Sequence, residues 1–141
     1  MNKNGYLCLK QNGKKMCNEL RKFLGILPNA SIIKDSDGII SFSYNDLKFL
    51  FVSDNEDVNY IRLMLPNVAD VKAIKTEKEY FDIINDYNNN YKAVKISVID
   101  NSIWMSIEQF VFSKDGVNDL FLRMITILSA VIKEFRDCCL K

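Results

Sequence analysis

Residues 39–53 read IISFSYNDLKFLFVS, two alternating apolar runs on either side of Asn45-Asp46. Ile40, Phe42 and Tyr44 fall on one side of the first run, and Leu47, Phe49 and Phe51 on one side of the second. Alternation of period two is the mark of a strand with one buried face. Asn45-Asp46 supplies the turn between them, because both residue types tolerate the positive φ of a tight hairpin. A third strand is expected over about Asn59–Leu65, with Ile61, Leu63 and Leu65 inward and Pro66 ending it. Asp54, Asn55, Glu56 and Asp57 form an acidic connection to it.

On both sides of this meander the apolar period changes to 3.6. Met16, Leu20, Phe23, Leu24 and Leu27 predict a helix from about Lys14 to Leu24, with Gly25 as its left-handed C-terminal residue and Pro28 preventing its resumption. Asp37-Gly38 signals a turn before the first strand, and Ile32-Ile33 is a candidate for a short extra one. A second helix is expected from near Thr76, where Thr76 and Glu79 have capping-box spacing. Tyr80, Phe81, Ile84 and Tyr87 form its apolar stripe, and Asn88-Asn89-Asn90 stop it. Tyr91–Ile99 then carries Val94, Ile96 and Val98 on one side, Asp100-Asn101 turns the chain, and Ser102–Phe112 returns. That returning strand sets Ile103, Met105 and Ile107 against Trp104, Ser106 and Glu108, and its length predicts a bulge. The closing helix has Asp115 as candidate N-cap and keeps a stripe from Val117 through Leu120, Phe121, Met124, Ile125, Leu128, Val131 and Ile132 to Phe135. Leu122 and Ile127 widen that stripe.

The order helix, three strands, helix, two strands, helix predicts a two-layer α+β fold. Its twisted antiparallel sheet has five strands, with helices mainly on one face. Residues 1–13 read as an N-terminal tail and 14–141 as a single domain. The sheet's other face is expected to carry Lys48, Leu50, Val52, Tyr60, Arg62, Met64 and Trp104, a half-apolar surface.

Composition narrows the functional classes. The 141 residues hold 19 basic and 18 acidic side chains, a net charge of +1. So balanced a chain lacks the field that gathers nucleic acid or anionic lipid, and neither partner is expected. No apolar run approaches the roughly 18 residues of a membrane span. Met1–Gly13 lacks the apolar core of a secretory signal, which points to a cytoplasmic protein. Cys8, Cys17, Cys138 and Cys139 match no zinc spacing and read as free thiols.

Histidine is absent. That removes the commonest general base near neutral pH and the usual Ser-His and Cys-His nucleophile pairs. A Cys17 nucleophile would need Lys14 or Arg21 as activator. Asp35-Ser36-Asp37-Gly38 has the start of a calcium loop without its end, and reads better as turn chemistry. No glycine-rich phosphate loop exists. Catalytic residues, metal and cofactor are accordingly all expected to be none.

The strand-ending stretch Ile61-Arg62-Leu63-Met64-Leu65-Pro66 is family-like, as are Val94–Val98 followed by Ser106–Phe110, and Val111–Arg136. In these stretches and in element order the chain resembles the YbjN-like proteins, which in turn resemble the type III secretion chaperone fold of bacteria. The likeness covers nearly everything after Lys14 and contains no catalytic signature. It implies a small homodimeric module that binds a protein or peptide partner. Candidate partner or dimer contacts are Tyr80, Tyr87, Trp104, Met105, Phe110 and Leu122. The alternative is an enzyme or small-ligand domain with a pocket between sheet and helices, for which Tyr60, Arg62, Glu108 and Gln109 are the candidate polar set.

Overall fold

The computed structural model describes residues 16–54, 56–74 and 79–140. Helix α1 occupies residues 16–26. Strands β1 (Ala30–Ser36), β2 (Ile39–Tyr44), β3 (Leu47–Ser53) and β4 (Tyr60–Asp70) follow. Helix α2 (Tyr80–Asn90), strands β5 (Lys95–Ile99) and β6 (Ser102–Phe110), and helix α3 (Val117–Cys139) complete the chain. The predicted tail and the helix start at Lys14 lie outside the described residues.

The sheet has six strands rather than five, in the order β1-β2-β3-β4-β6-β5, and every neighbouring pair is antiparallel. The additional strand is β1, an edge strand. Its register slips between Ile32 and Lys34, and all but its first residue are exposed. A strand that buries neither face shows no alternation, so Lys34-Asp35-Ser36 conceals it.

Two hairpins turn as their sequences require. Asn45 and Asp46 have φ of 47° and 64°, and Asp100 and Asn101 have 50° and 63°. Two consecutive left-handed residues give a turn whose twist matches that of the flanking strands. The third predicted strand does not end at Pro66. β4 runs on to Asp70 through an irregularity between Leu65 and Ala69, where Asn67 takes a φ of 51°. Proline lacks the N–H that a regular central ladder needs, and the bulge removes that need. The bulge expected in the returning strand therefore lies in its neighbour, and β6 ends at Phe110.

The three helices lie on one face. Ile40, Phe42, Phe49, Phe51, Ile61, Leu63, Leu65, Ile103, Met105 and Ile107 point towards them and are buried. Opposing them, α3 buries Phe121, Met124, Ile125, Leu128, Val131, Ile132 and Phe135. Phe121 meets Phe51 edge-on and Phe23 of α1, each at 5.9 Å between ring centres, so one side chain ties two helices to the sheet. Each such fully buried side chain contributes about 1.5–3 kcal/mol. α1 is fixed further by Arg21, whose Nε and Nη2 donate to the Asp35 carboxylate at 2.5 and 2.7 Å.

Helix ends differ from expectation. Gly25 lies within α1, and Asn29, with φ 64°, makes the left-handed step instead. α2 begins at Tyr80 with Glu79 as N-cap and no side-chain capping bond, and Thr76 lies outside the described residues. It buries Ile83 and Ile84, leaving Phe81 exposed. α3 is preceded by Gly116 at φ 72°, which takes the N-cap place expected of Asp115.

None of the three asparagines at the end of α2 is left-handed; Ala93, with φ 69°, is. Asn88 has a different role. Its Nδ2 donates to the Ile96 carbonyl at 3.0 Å and its Oδ1 accepts from the Ile96 N–H at 2.7 Å. A side-chain amide thereby imitates a neighbouring strand and closes the β5 edge at that residue.

Candidate protein-binding surface

The face of the sheet away from the helices is set by register. Ile39 pairs Val52, Leu50 pairs Met64, and Ser97 pairs Trp104. Paired residues share a face, so these apolar side chains form a band across β2, β3, β4 and β6. Ile39 is exposed; Leu50, Val52, Met64 and Trp104 are half-buried by their neighbours alone. No described helix covers them.

A charged network crosses this band. Arg62 stands opposite Glu108 on the neighbouring strand, with Nε 3.1 Å from its Oε1. Lys95 Nζ reaches the same oxygen at 2.8 Å, and Arg62 Nη2 donates to the Tyr60 hydroxyl at 3.1 Å. Lys95's hydrogen bond holds the Glu108 carboxyl below its ordinary 4.5, against the opposing effect of burial. These side chains are 31–56% exposed, so the pairs contribute little to stability and mainly fix one another's positions. Trp104 Nε1 is shielded from solvent and has no acceptor among the described residues. An indole N–H so placed loses its water without gaining a protein partner.

The six candidate contact residues do not form one surface. Trp104 and Phe110 lie on the open face at opposite ends of β6. Phe110 is 55% exposed, edge-on to Tyr60 and stacked with Phe112. Tyr80 is half-buried on α2, against Phe81. Tyr87 is half-buried with its hydroxyl 3.8 Å from Cys139 Sγ, and burial pushes its pKa well up. Leu122 is exposed on the side of α3 away from the core. Met105 is fully buried and belongs to the core, because it shares the helix-side parity of Ile103 and Ile107.

Of the polar set, Tyr60, Arg62 and Glu108 meet, but on the open face. Gln109 has the opposite parity, and its side chain donates only to the Phe110 carbonyl. None of the four lines the cavities along α3. Cys17 is buried with Sγ 3.6 Å from Ser53 Oγ, and burial raises its pKa, so it is held as a thiol. Its proposed activator Arg21 is turned to Asp35. No group of acidic or thiol side chains suited to a metal occurs among the described residues. No described helix is long and apolar enough to cross a membrane.

Fold and surface define a class: a two-layer antiparallel α+β domain with helices on one side and an open, half-apolar sheet face on the other. A solved structure with this fold is that of the ExsC–ExsE complex. It matches with a TM-score of 0.67 and 13% identity, over 88% of this chain and 92% of that one. At that identity the likeness is one of fold. No family model and no curated protein matches the chain.

Proposed function

We propose that this chain is a non-enzymatic protein-binding module, similar to type III secretion chaperones and YbjN-like proteins. In this reading it forms a homodimer and holds a protein or peptide partner in the cytoplasm. The observation that carries the reading is the open face, where Ile39, Leu50, Val52, Met64 and Trp104 stand together uncovered. Contiguous apolar surface of this kind is what a second chain covers. The indole N–H of Trp104, without an acceptor among the described residues, offers a donor to a second chain. The likeness to the ExsC–ExsE complex supports the reading, since that structure holds two proteins together. Three free thiols among the described residues fit a reducing compartment.

Sedimentation velocity tests the dimer. The expected result is a dimer at about 10–100 μM that Leu50→Glu converts to monomer, because a carboxylate in a covered apolar patch is costly. A strict monomer throughout that range removes the dimer, and an unaffected dimer in Leu50→Glu removes the open face as its interface.

A further inference from the structure

Helices α2 and α3 leave a cavity of about 590 Å³ between them. Ile83, Asp86 and Tyr87 stand three and four residues apart, so one stripe of α2 makes a wall, and Tyr91 extends it. Glu134 of α3 makes the opposite wall. Ile83 and Cys139 are buried and close the floor, while Asp86 and Glu134 are exposed at the rim.

Two features coincide there. The first is a charge of one sign: each wall carries a carboxylate, and no basic side chain lines the cavity. Glu134 forms no ion pair among the described residues. Burial first, and the Glu134 charge in addition, raise the pKa of the Tyr87 hydroxyl and of the Cys139 thiol, so that carboxylate acts into the cavity. The second is a flat aromatic shelf. Tyr87 and Tyr91 stack with ring centres 5.3 Å apart and planes within 14°, and Phe135 backs Tyr87 edge-on.

Together these features select an occupant. Carboxylates on both walls disfavour any anion. A hard metal ion wants several oxygen ligands, and no group of three metal-binding side chains occurs among the described residues. An organic cation uses both features, since ring faces and carboxylates attract it alike. Two nearly parallel rings form a shelf rather than an enclosing cage. A shelf suits the planar guanidinium, which stacks on a ring while its N–H groups fork to a carboxylate, better than it suits a compact ammonium.

We infer that this cavity binds the guanidinium group of an arginine-like ligand, stacked on the tyrosine shelf between Asp86 and Glu134. The site is separate from the open sheet face and does not rest on the protein-binding reading.

The test is a ¹H–¹⁵N titration of the full chain with arginine capped at both ends. Capped citrulline, a neutral urea of the same shape, and capped lysine are run beside it. The expected result is shifts confined to residues 83–91 and 134–139, with a dissociation constant of about 1 mM for capped arginine, weaker binding of lysine and none of citrulline. Glu134→Gln should weaken binding about fivefold with spectral dispersion retained, as the residue is exposed. Tyr91→Leu should weaken it at least about twofold and abolish the preference for arginine over lysine. Leu50→Glu should leave the titration unchanged, so failure here is separable from failure at the open face. Agmatine carries the same group on a free stem, and its affinity against that of capped arginine tells a small molecule from a side chain of another protein. Citrulline binding as well as arginine overturns the inference, as do lysine binding as well as arginine, an unaffected Glu134→Gln, shifts elsewhere, or no shift at about 10 mM ligand.

Discussion

Asn88→Ala isolates a contact that closes a sheet edge. The substitution deletes two hydrogen bonds, of 3.0 and 2.7 Å, and leaves both the N–H and the carbonyl of Ile96 without a protein partner. A hydrogen bond is worth about 0.5–1.5 kcal/mol net, and a buried group left unpaired costs about 1–3 kcal/mol. Both bonds are only partly buried, so water recovers some of the loss. The expected destabilisation is about 1–2 kcal/mol. With a urea slope of about 2 kcal/mol/M, the unfolding midpoint falls by roughly 0.5–1 M. Asn89→Ala is the control, since Asn89 is exposed on the same helical turn. The amide of Ile96 should exchange roughly tenfold faster in Asn88→Ala, and only marginally faster in the control. Equal midpoints for the two variants, or an unchanged Ile96 amide, would refute the clamp.

Other expectations follow from the same geometry. Phe135→Ala removes a fully buried ring edge-on to Tyr87 and should cost about 3–5 kcal/mol by chemical denaturation; a loss under 1 kcal/mol contradicts the packing. Asp46→Gly places the preferred residue at a φ of 64° and should raise stability by about 0.5–1 kcal/mol, read as a higher melting temperature. Glu108 has a folded pKa below its ordinary 4.5 because Lys95 and Arg62 favour the carboxylate. Its stabilisation is therefore complete above 4.5 and is lost as pH falls from there through the folded value. Glu108→Gln should flatten that part of a plot of urea midpoint against pH, and curves parallel to the parent's would count against the network.

The sheet and the closing helix were legible because burial stamps a period on sequence. Ile40, Phe42, Phe49, Phe51, Ile61 and Leu63 all turn inward as their alternation requires, and both Asn- and Asp-rich turns adopt the left-handed angles their composition permits. β1 was only half visible, as an edge strand with exposed Ile32 and Ile33 has no inner face to enforce alternation. Pro66 misled because a proline announces a missing donor but not the bulge that makes it harmless. Asn88 read as a helix stop because local propensity gives no hint of a strand returning eight residues later. Met105 stands among the candidate contacts that the resemblance implies, although its parity with Ile103 places it inside.

Trp104 is the chain's single tryptophan, and it stands on the open face rather than in the core. Indole emission follows the polarity around the ring, so the molecule carries one intrinsic fluorophore at the place where the proposed dimer would form. A chain seated there would move the spectrum to shorter wavelength and slow collisional quenching by iodide. Occupancy of the open face can thus be followed with unlabelled protein in a cuvette.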